Sequence, residues 1–426
     1  MSVCSEVADY EWLTGSDAAE LLAQLAAERA PLLTAIQRLR VHLSPTRTHL
    51  LIEQVELRRR AVAKFQHAER MFFTRTGLEQ ATDHWVARYK AARLAGRPAE
   101  PASPLIPESQ TAPRRIADLC CGVGGDLLAL AEQADVIGVD RSPVATHFAR
   151  ANADAVLRDK SASRTGVLTA DVEQFDLKAA AAWHIDPDRR AAGRRTTSLD
   201  SCQPNLAMIE RLLAEVPHAA IKLAPATRVP ADWLERCELE WISRGGECRQ
   251  LVSWHGALSH APGRCRATIV SPLTAEVEAN STNCGFASRT IVGLPNQPLP
   301  IVKRLDQYIF DVDPAVLAAH LKGALADQLC LAALGAGPTY LTGSSPLRDT
   351  AVACFRVDDV LPMRVRPLGR HLRERGIGRL EIKKRGLDIE PEKLRRELKL
   401  RGENEAVLLI TPIASRPTAI LAHRVL

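Results

Sequence analysis

The run Asp118-Leu-Cys-Cys-Gly122-Val-Gly124-Gly125-Asp126 holds the residues of this 426-residue chain best suited to gripping a ligand. Ile116 to Leu119 reads as a short apolar strand and Leu127 to Ala134 as a helix, so the chain must reverse sharply between them. Glycines permit such a turn and let backbone N–H groups approach a bound molecule closely. Alone, the turn suits a dinucleotide, a methyl donor or a plain reversal. The next two strands narrow the choice. Val136 to Val139 reads as a second strand ending on Asp140, a carboxylate placed to accept both hydroxyls of a ribose, and Arg141 beside it joins the same set. Gly166 to Ala170 reads as a third strand ending on Asp171, with Val172 next, where an adenine amino group would be held. Three strand ends carrying Asp118, Asp140 and Asp171 are expected along one carboxyl edge of a sheet, the edge at which open α/β sheets bind ligands.

Two features favour a methyl donor over a dinucleotide. The turn fits Gly-x-Gly-x-x-Gly poorly, and an acidic residue precedes it. A carboxylate there repels a pyrophosphate but suits the cationic methionine portion of S-adenosylmethionine. The expected cofactor is therefore S-adenosylmethionine, bound by Asp118, Cys120, Gly122, Gly124, Gly125, Asp140, Arg141, Asp171 and Val172. A fourth strand, Ala181 to Ile185, leads into Asp186-Pro187-Asp188-Arg189-Arg190. Asp186 is expected beside the transferred methyl group, orienting or deprotonating the acceptor, while Pro187 fixes the loop. Arg189 and Arg190, with Arg194 and Arg195 beyond, are placed to hold a phosphate. The loop is not Asn-Pro-Pro-aromatic, the motif that stacks and holds an exocyclic base amine.

Residues 1–95 read as helices. Ser16 and Asp17 can cap one, with Leu21, Leu22, Leu25 and Ala26 at helical spacing; further stretches run from Ser44 to Ala68 and from Leu78 to Leu94. Prolines at 98, 101, 104, 107 and 113 mark 96–113 as a linker. Strands alternating with helices over 114–275 predict a parallel, Rossmann-like α/β sheet, closed by strands near Glu238 to Ser243, Arg249 to Trp254 and Ala267 to Val270. Residues 276–345 connect it, with no fold assigned, to a compact α+β module over 346–426.

No run of about 18 apolar residues exists, and the acidic N-terminus lacks the pattern of a signal peptide, so a cytoplasmic protein without a membrane partner is expected. The ten cysteines are scattered without a Cys-x-x-Cys pair, which points to reduced thiols and no metal. Charge is uneven. Leu361 to Arg401 holds fourteen Lys or Arg against six Asp or Glu, a net of +8 in a chain of net +6, leaving the remainder near −2. A basic module on a near-neutral body suggests an anionic partner such as nucleic acid, with Lys383, Lys384 and Arg385 as phosphate contacts.

Asp118 to Asp126, Val139-Asp140 and Asp186-Pro-Asp-Arg-Arg190 together resemble the class I S-adenosylmethionine-dependent methyltransferases. From about residue 60 to 426 the chain resembles, more narrowly, the bacterial methyltransferases that carry a C-terminal THUMP-like domain. That likeness rests on Lys64-Phe, Met71 to Thr82, Glu240-Trp-Ile-Ser243, Leu251 to Gly256, Tyr308 to Pro314 and Gly378 to Gly386. It implies RNA-directed methylation, because THUMP-type domains bind RNA, and it sets Phe73, Thr74 and Gln80 over the cofactor pocket. The glycine turn is also similar to that of cap-guanosine methyltransferases. It departs with Cys120 in place of an aromatic residue and Asp126 in place of Asn, and the Pro-Pro-Trp loop is absent. Methylation of tRNA or rRNA is the reading this supports. A non-catalytic RNA-binding protein on the same scaffold and a small-molecule methyltransferase stay open.

Overall fold

The computed structural model describes residues 3–28, 32–96, 115–158, 164–189, 196–273 and 285–425. Arg190, Arg194, Arg195 and nearly all of the linker over 96–113 lie outside the described residues. The chain divides into two compact units, one of Met1–Leu239 with Gln250–Pro262 and Val270–Ser288, the other of Glu240–Arg249, Gly263–Ile269 and Arg289–Leu426.

In the first unit, helices α1 (Val3–Thr14), α2 (Ser16–Ala27), α3 (Leu32–Leu39) and α4 (Pro45–Ala61) come first. The cap of α2 is Gly15, with no side-chain hydrogen bond, so Ser16 and Asp17 sit in its first turn rather than at its cap. The helix expected over 44–68 stops at Ala61. The one expected over 78–94 is two, α5 (Arg75–Gln80) and α6 (His84–Leu94). The break has local causes. Lys64 Nζ donates to the carbonyls of Leu78, Glu79 and Ala81 at 2.7, 3.0 and 3.2 Å, closing the negative end of α5. The Asp83 carboxylate then accepts from Trp85 N and starts α6.

Strands β1 (Ile116–Leu119), β2 (Val136–Asp140), β3 (Thr165–Thr169), β4 (Ala182–Ile185) and β5 (Ala219–Leu223) form a parallel sheet in the order β3-β2-β1-β4-β5. After β6 (Glu238–Arg244), strand β7 (Glu247–His255) pairs antiparallel with β5, Ala219 opposite His255 and Leu223 opposite Leu251. Helices α7 (Gly125–Ala131) and α8 (Pro143–Leu157) follow β1 and β2. The strand order reverses between β1 and β4, which opens a crevice at their carboxyl ends.

Two buried amides seat the helical region on this sheet. Asn152 of α8 is fully buried: its Oδ1 accepts from Phe72 N (2.6 Å), and its Nδ2 donates to Phe72 O (3.0 Å) and to Val123 O in the glycine turn (2.8 Å). Gln54 of α4 grips the next residue in the same way, accepting from Phe73 N at 2.9 Å and donating to Phe73 O at 3.0 Å. The extended stretch before α5 thus has its backbone groups satisfied by side chains where a neighbouring strand would otherwise supply partners.

The second unit holds a seven-stranded sheet. After β8 (Cys265–Pro272) and β9 (Phe286–Gly293) come β10 (Tyr308–Val312), β11 (Ala332–Ala333), β12 (Leu341–Gly343), β13 (Val352–Pro362), β14 (Ile377–Lys384), β15 (Asn404–Ile413) and β16 (Arg416–Arg424). The sheet runs β11-β12-β10-β13-β16-β15-β14, antiparallel except for β14 with β15. Helices Val365–Glu374 and Pro391–Leu398 bury Leu368, Leu372, Leu394 and Leu398 in one core with Leu380, Leu408, Ile410 and Leu421. Strands β9 to β12 supply structure for the stretch to which the sequence assigned no fold.

Replacing Asn152 by Leu keeps volume but strands three buried backbone groups. At about 1–3 kcal/mol for each unsatisfied group, denaturant unfolding should show a loss of roughly 3 kcal/mol or more. A loss below about 1 kcal/mol would contradict the seating described here.

Candidate active site

The turn after β1 adopts the strained geometry its glycines permit. Gly122 and Gly124 have φ of +55° and +91°, and Cys120, which lacks that freedom, has φ of +57°. A Cβ at Gly122 would meet no protein atom within 4 Å, so the space over the turn is open to a ligand. Behind the turn the packing is close: a Cβ at Gly124 would lie 3.5 Å from Ala149, and one at Gly125 would lie 3.4 Å from Ala81 and Thr82. From the other side, a Cβ at Gly77 in α5 would collide with Val123 at 2.6 Å. The segment Met71 to Thr82 is therefore one wall of the glycine turn.

Asp140, at the tip of β2, accepts from Gly122 N through Oδ2 and from Ser142 N through Oδ1, both at 2.9 Å. The carboxylate is locked in place with lone pairs to spare on each oxygen. Arg141 follows it and is exposed. Asp171 is exposed past the end of β3 and caps a short turn by accepting from Glu173 N at 2.9 Å, while Val172 is buried. Asp118 differs from both. It lies one residue inside β1, is 1% exposed, and sits directly opposite His184 of β4, whose Nδ1 is 2.7 Å from Asp118 Oδ1. Burial pushes the Asp118 carboxyl above its ordinary range, with the His184 hydrogen bond opposing. Burial also pushes the Cys120 and Cys121 thiols well above theirs, and the neighbouring carboxylates add to it. Both cysteines are thus thiols, not thiolates, at neutral pH.

The loop after β4 is held from two directions. Asp186 Oδ2 takes a 2.5 Å ion-paired hydrogen bond from Lys222 Nζ of β5, and the same ammonium donates to Gln80 O at 3.1 Å. Gln80 Nε2 in turn donates to Asp188 Oδ1 at 3.1 Å. Pro187 is buried, Asp188 and Gln203 exchange backbone hydrogen bonds of 2.8 and 2.9 Å, and Arg189, half-buried, accepts at its carbonyl from Thr196 N. Of the residues expected over the pocket, Phe73 is core, Thr74 caps α5 through Gly77 N, and Gln80 reaches the loop.

The sequence reading missed Lys222, and it missed Lys90 and Thr82 of the helical region. Lys90 Nζ, 2.7 Å from Asp126 Oδ1, is 1% exposed. Thr82 Oγ1 donates to Asp126 Oδ2 at 2.5 Å. Although burial works against it, Lys90 first and Lys222 after it hold Asp126 well below the usual carboxylate range. The available signal was a lone polar residue inside an apolar stretch: Lys222 in Ala-Ala-Ile-Lys-Leu, His184 in Trp-His-Ile. Lys383, Lys384 and Arg385 belong to the second unit. There Lys383 and Arg385 pair with Asp311 at 3.1 and 2.9 Å, and Lys384 is exposed on the opposite face of β14.

Residues 352–424 match the family model described as THUMP domain-like. Two Mycobacterium tuberculosis proteins, from strains CDC 1551 and H37Rv, are each 29% identical over 377 residues, covering 86% of this chain and 93% of the relative; both are named as uncharacterized S-adenosylmethionine-dependent methyltransferases. A crystal structure from Porphyromonas gingivalis W83, solved as a candidate methyltransferase, superposes over all of both chains with a TM-score of 0.74 at 18% identity, which establishes the shared fold. The chain shares the fold of a class I S-adenosylmethionine-dependent methyltransferase and carries a C-terminal THUMP-like domain. The open cradle over Gly122 and the locked carboxylate at Asp140 fit its donor.

Burial and the neighbouring carboxylates disfavour a thiolate at Cys120 or Cys121, and with it a cysteine nucleophile at this turn. Cys120→Ser is expected to retain methyl transfer within about threefold of the parent, measured with labelled donor and total RNA; a loss of about a hundredfold or more would contradict the assignment.

Proposed function

We propose that this methyltransferase modifies a structured RNA, tRNA or rRNA, which the module over 346–426 presents to the site at the carboxyl ends of β1 to β4. The observation that carries the reading is a basic surface on the THUMP-like module. Helix Val365–Glu374 turns Leu368 and Leu372 inward, leaving Arg366 and Arg370 one turn apart and exposed. Helix Pro391–Leu398 does the same with Leu394 and Leu398, leaving Lys393 and Arg396 exposed. Such a stripe suits a phosphate backbone better than the Lys383 and Arg385 pair, whose charges Asp311 already answers. Lys384 is the member of that trio that adds to the stripe's charge.

When bound, S-adenosylmethionine supplies an electrophilic methyl group on a sulfonium. On this reading Asp140 receives the ribose hydroxyls, and Asp171 with Val172 holds the adenine. Arg141 borders the ribose, and Asp118 with the backbone from Cys120 to Gly125 takes the methionine portion. Asp186, steadied by Lys222 and stiffened by Pro187, is the polar group nearest the acceptor, and Arg189 and Arg190 hold a neighbouring phosphate. The residues orient the acceptor against the methyl group, which is where most of the rate enhancement of such a displacement arises.

Calorimetry tests the donor half. Asp140→Ala should weaken S-adenosylmethionine binding by about tenfold or more, the loss of two charge-assisted hydrogen bonds, and unchanged affinity would overturn the assignment. For the acceptor half, total cellular RNA is incubated with labelled donor and digested for nucleoside mass spectrometry. A labelled nucleoside is the expected product, and label found only in small molecules would refute the RNA reading. Arg366→Glu with Arg370→Glu should weaken RNA binding and flatten its dependence on log salt by about two. An unaltered slope would remove those helices from the interface.

A further inference from the structure

Lys90 lies on α6, outside every residue assigned above to the donor, yet it is almost completely buried against the donor turn. Its Nζ stands 2.7 Å from Asp126 Oδ1 and 3.0 Å from His184 Nε2. On the far side of the imidazole, Nδ1 is 2.7 Å from Asp118 Oδ1. Asp126 is closed on its other oxygen by Thr82. A continuous buried chain, Asp126–Lys90–His184–Asp118, thus links the first turn of α7, the helical region, β4 and β1. Of its four carboxylate oxygens, only Asp118 Oδ2 has no hydrogen-bond partner, and that atom is buried.

An ammonium has three donors and no acceptor. With Lys90 held as an ion pair by Asp126, its contact with His184 makes Nε2 the acceptor. The imidazole proton must then reside on Nδ1, where it is donated to Asp118 Oδ1. Oδ1 of Asp118 thereby takes the imidazole N–H, which orients the carboxylate and leaves Oδ2 without a partner. Without Lys90 either tautomer of His184 is available, and the one protonated at Nε2 would set a bare nitrogen against the carboxylate.

We propose that Lys90 is a positioning residue of the methyl-donor site: it sets the His184 tautomer and, through it, holds Asp118 Oδ2 available to the ammonium of the donor's methionine portion. The inference rests on the reading that Asp118 contacts the donor. It makes the helical region a working part of the site, because the lysine comes from α6.

The test uses the full-length chain with ¹⁵N-labelled histidine, His184 being assigned by its loss in His184→Gln. The parent protein should show His184 protonated at Nδ1 and bare at Nε2. Lys90→Met strands the Asp126 carboxylate and risks misfolding, so Lys90→Met with Asp126→Asn is the informative variant. It should fold, lose the single tautomer, and bind S-adenosylmethionine about tenfold more weakly by calorimetry, in the range typical of residues that orient a ligand-binding group. Asp126→Asn alone takes away the anion that keeps the buried Lys90 charged, so it should lose the single tautomer and weaken the affinity as the double variant does. A double variant with the parental tautomer or parental affinity would overturn the inference. If Asp118→Asn binds the donor as tightly as the parent, the Asp118 reading falls and this inference with it. If Asp118→Asn is weakened while the double variant is not, this inference alone fails.

Discussion

Asp118 and Asp126 have almost no contact with water, and an ionised carboxylate so placed is destabilising by several kcal/mol unless other charges and hydrogen bonds answer it. Here the answer comes from α6, in Lys90, and from β4, in His184. Much else depends on that one constraint. α6 must dock where Lys90 reaches the first turn of α7, so the chain between α5 and α6 has to break at 81–83. The break sets Thr82 on Asp126 and Ala81 against Gly125. A leucine pair in place of Lys90 and Asp126 would serve stability as well or better. What the ion pair supplies instead is registration, fixing which face of the helical region meets the glycine turn.

The same logic extends along the segment Met71 to Thr82. Asn152 and Gln54 hold its backbone, Gly77 leaves room for Val123, Lys64 closes the end of α5, and Gln80 reaches Asp188. Each contact is modest; together they make the loop carrying Asp186 and the turn carrying Gly122 share a wall. The glycine turn and the loop carrying Asp186, the proposed donor and acceptor surfaces, are in this way fastened to a single piece of chain that precedes the sheet.

Local patterning made the sheet readable. Each β-to-α alternation from Ile116 to Leu223 is short, apolar and punctuated by Gly, Asp or Pro, so strand ends and the glycine turn were visible in the sequence, as were Asp140 and Asp171 at or just past their tips. Less visible were groups whose meaning depends on a partner far along the chain. Lys90 pairs with a residue 36 positions away and Lys222 with one equally distant, and nothing in helical or strand periodicity links them. Asp118 looked like a tip residue because its strand is only four residues long; the register that sets it beside His184 exists only once β4 is placed next to β1. Lys383 to Arg385 looked like a free cationic run because Asp311 lies more than seventy residues upstream.

On the proposed reading, residues 72–83 and the glycine turn at 120–126 act as one donor-binding unit. Hydrogen–deuterium exchange on the full-length protein, with and without saturating S-adenosylmethionine, tests it directly. Slowed exchange in both segments, over the same range of donor concentration, is the predicted result. Protection limited to 120–126 and the neighbouring strand ends, with 72–83 exchanging as in the free protein, would contradict it.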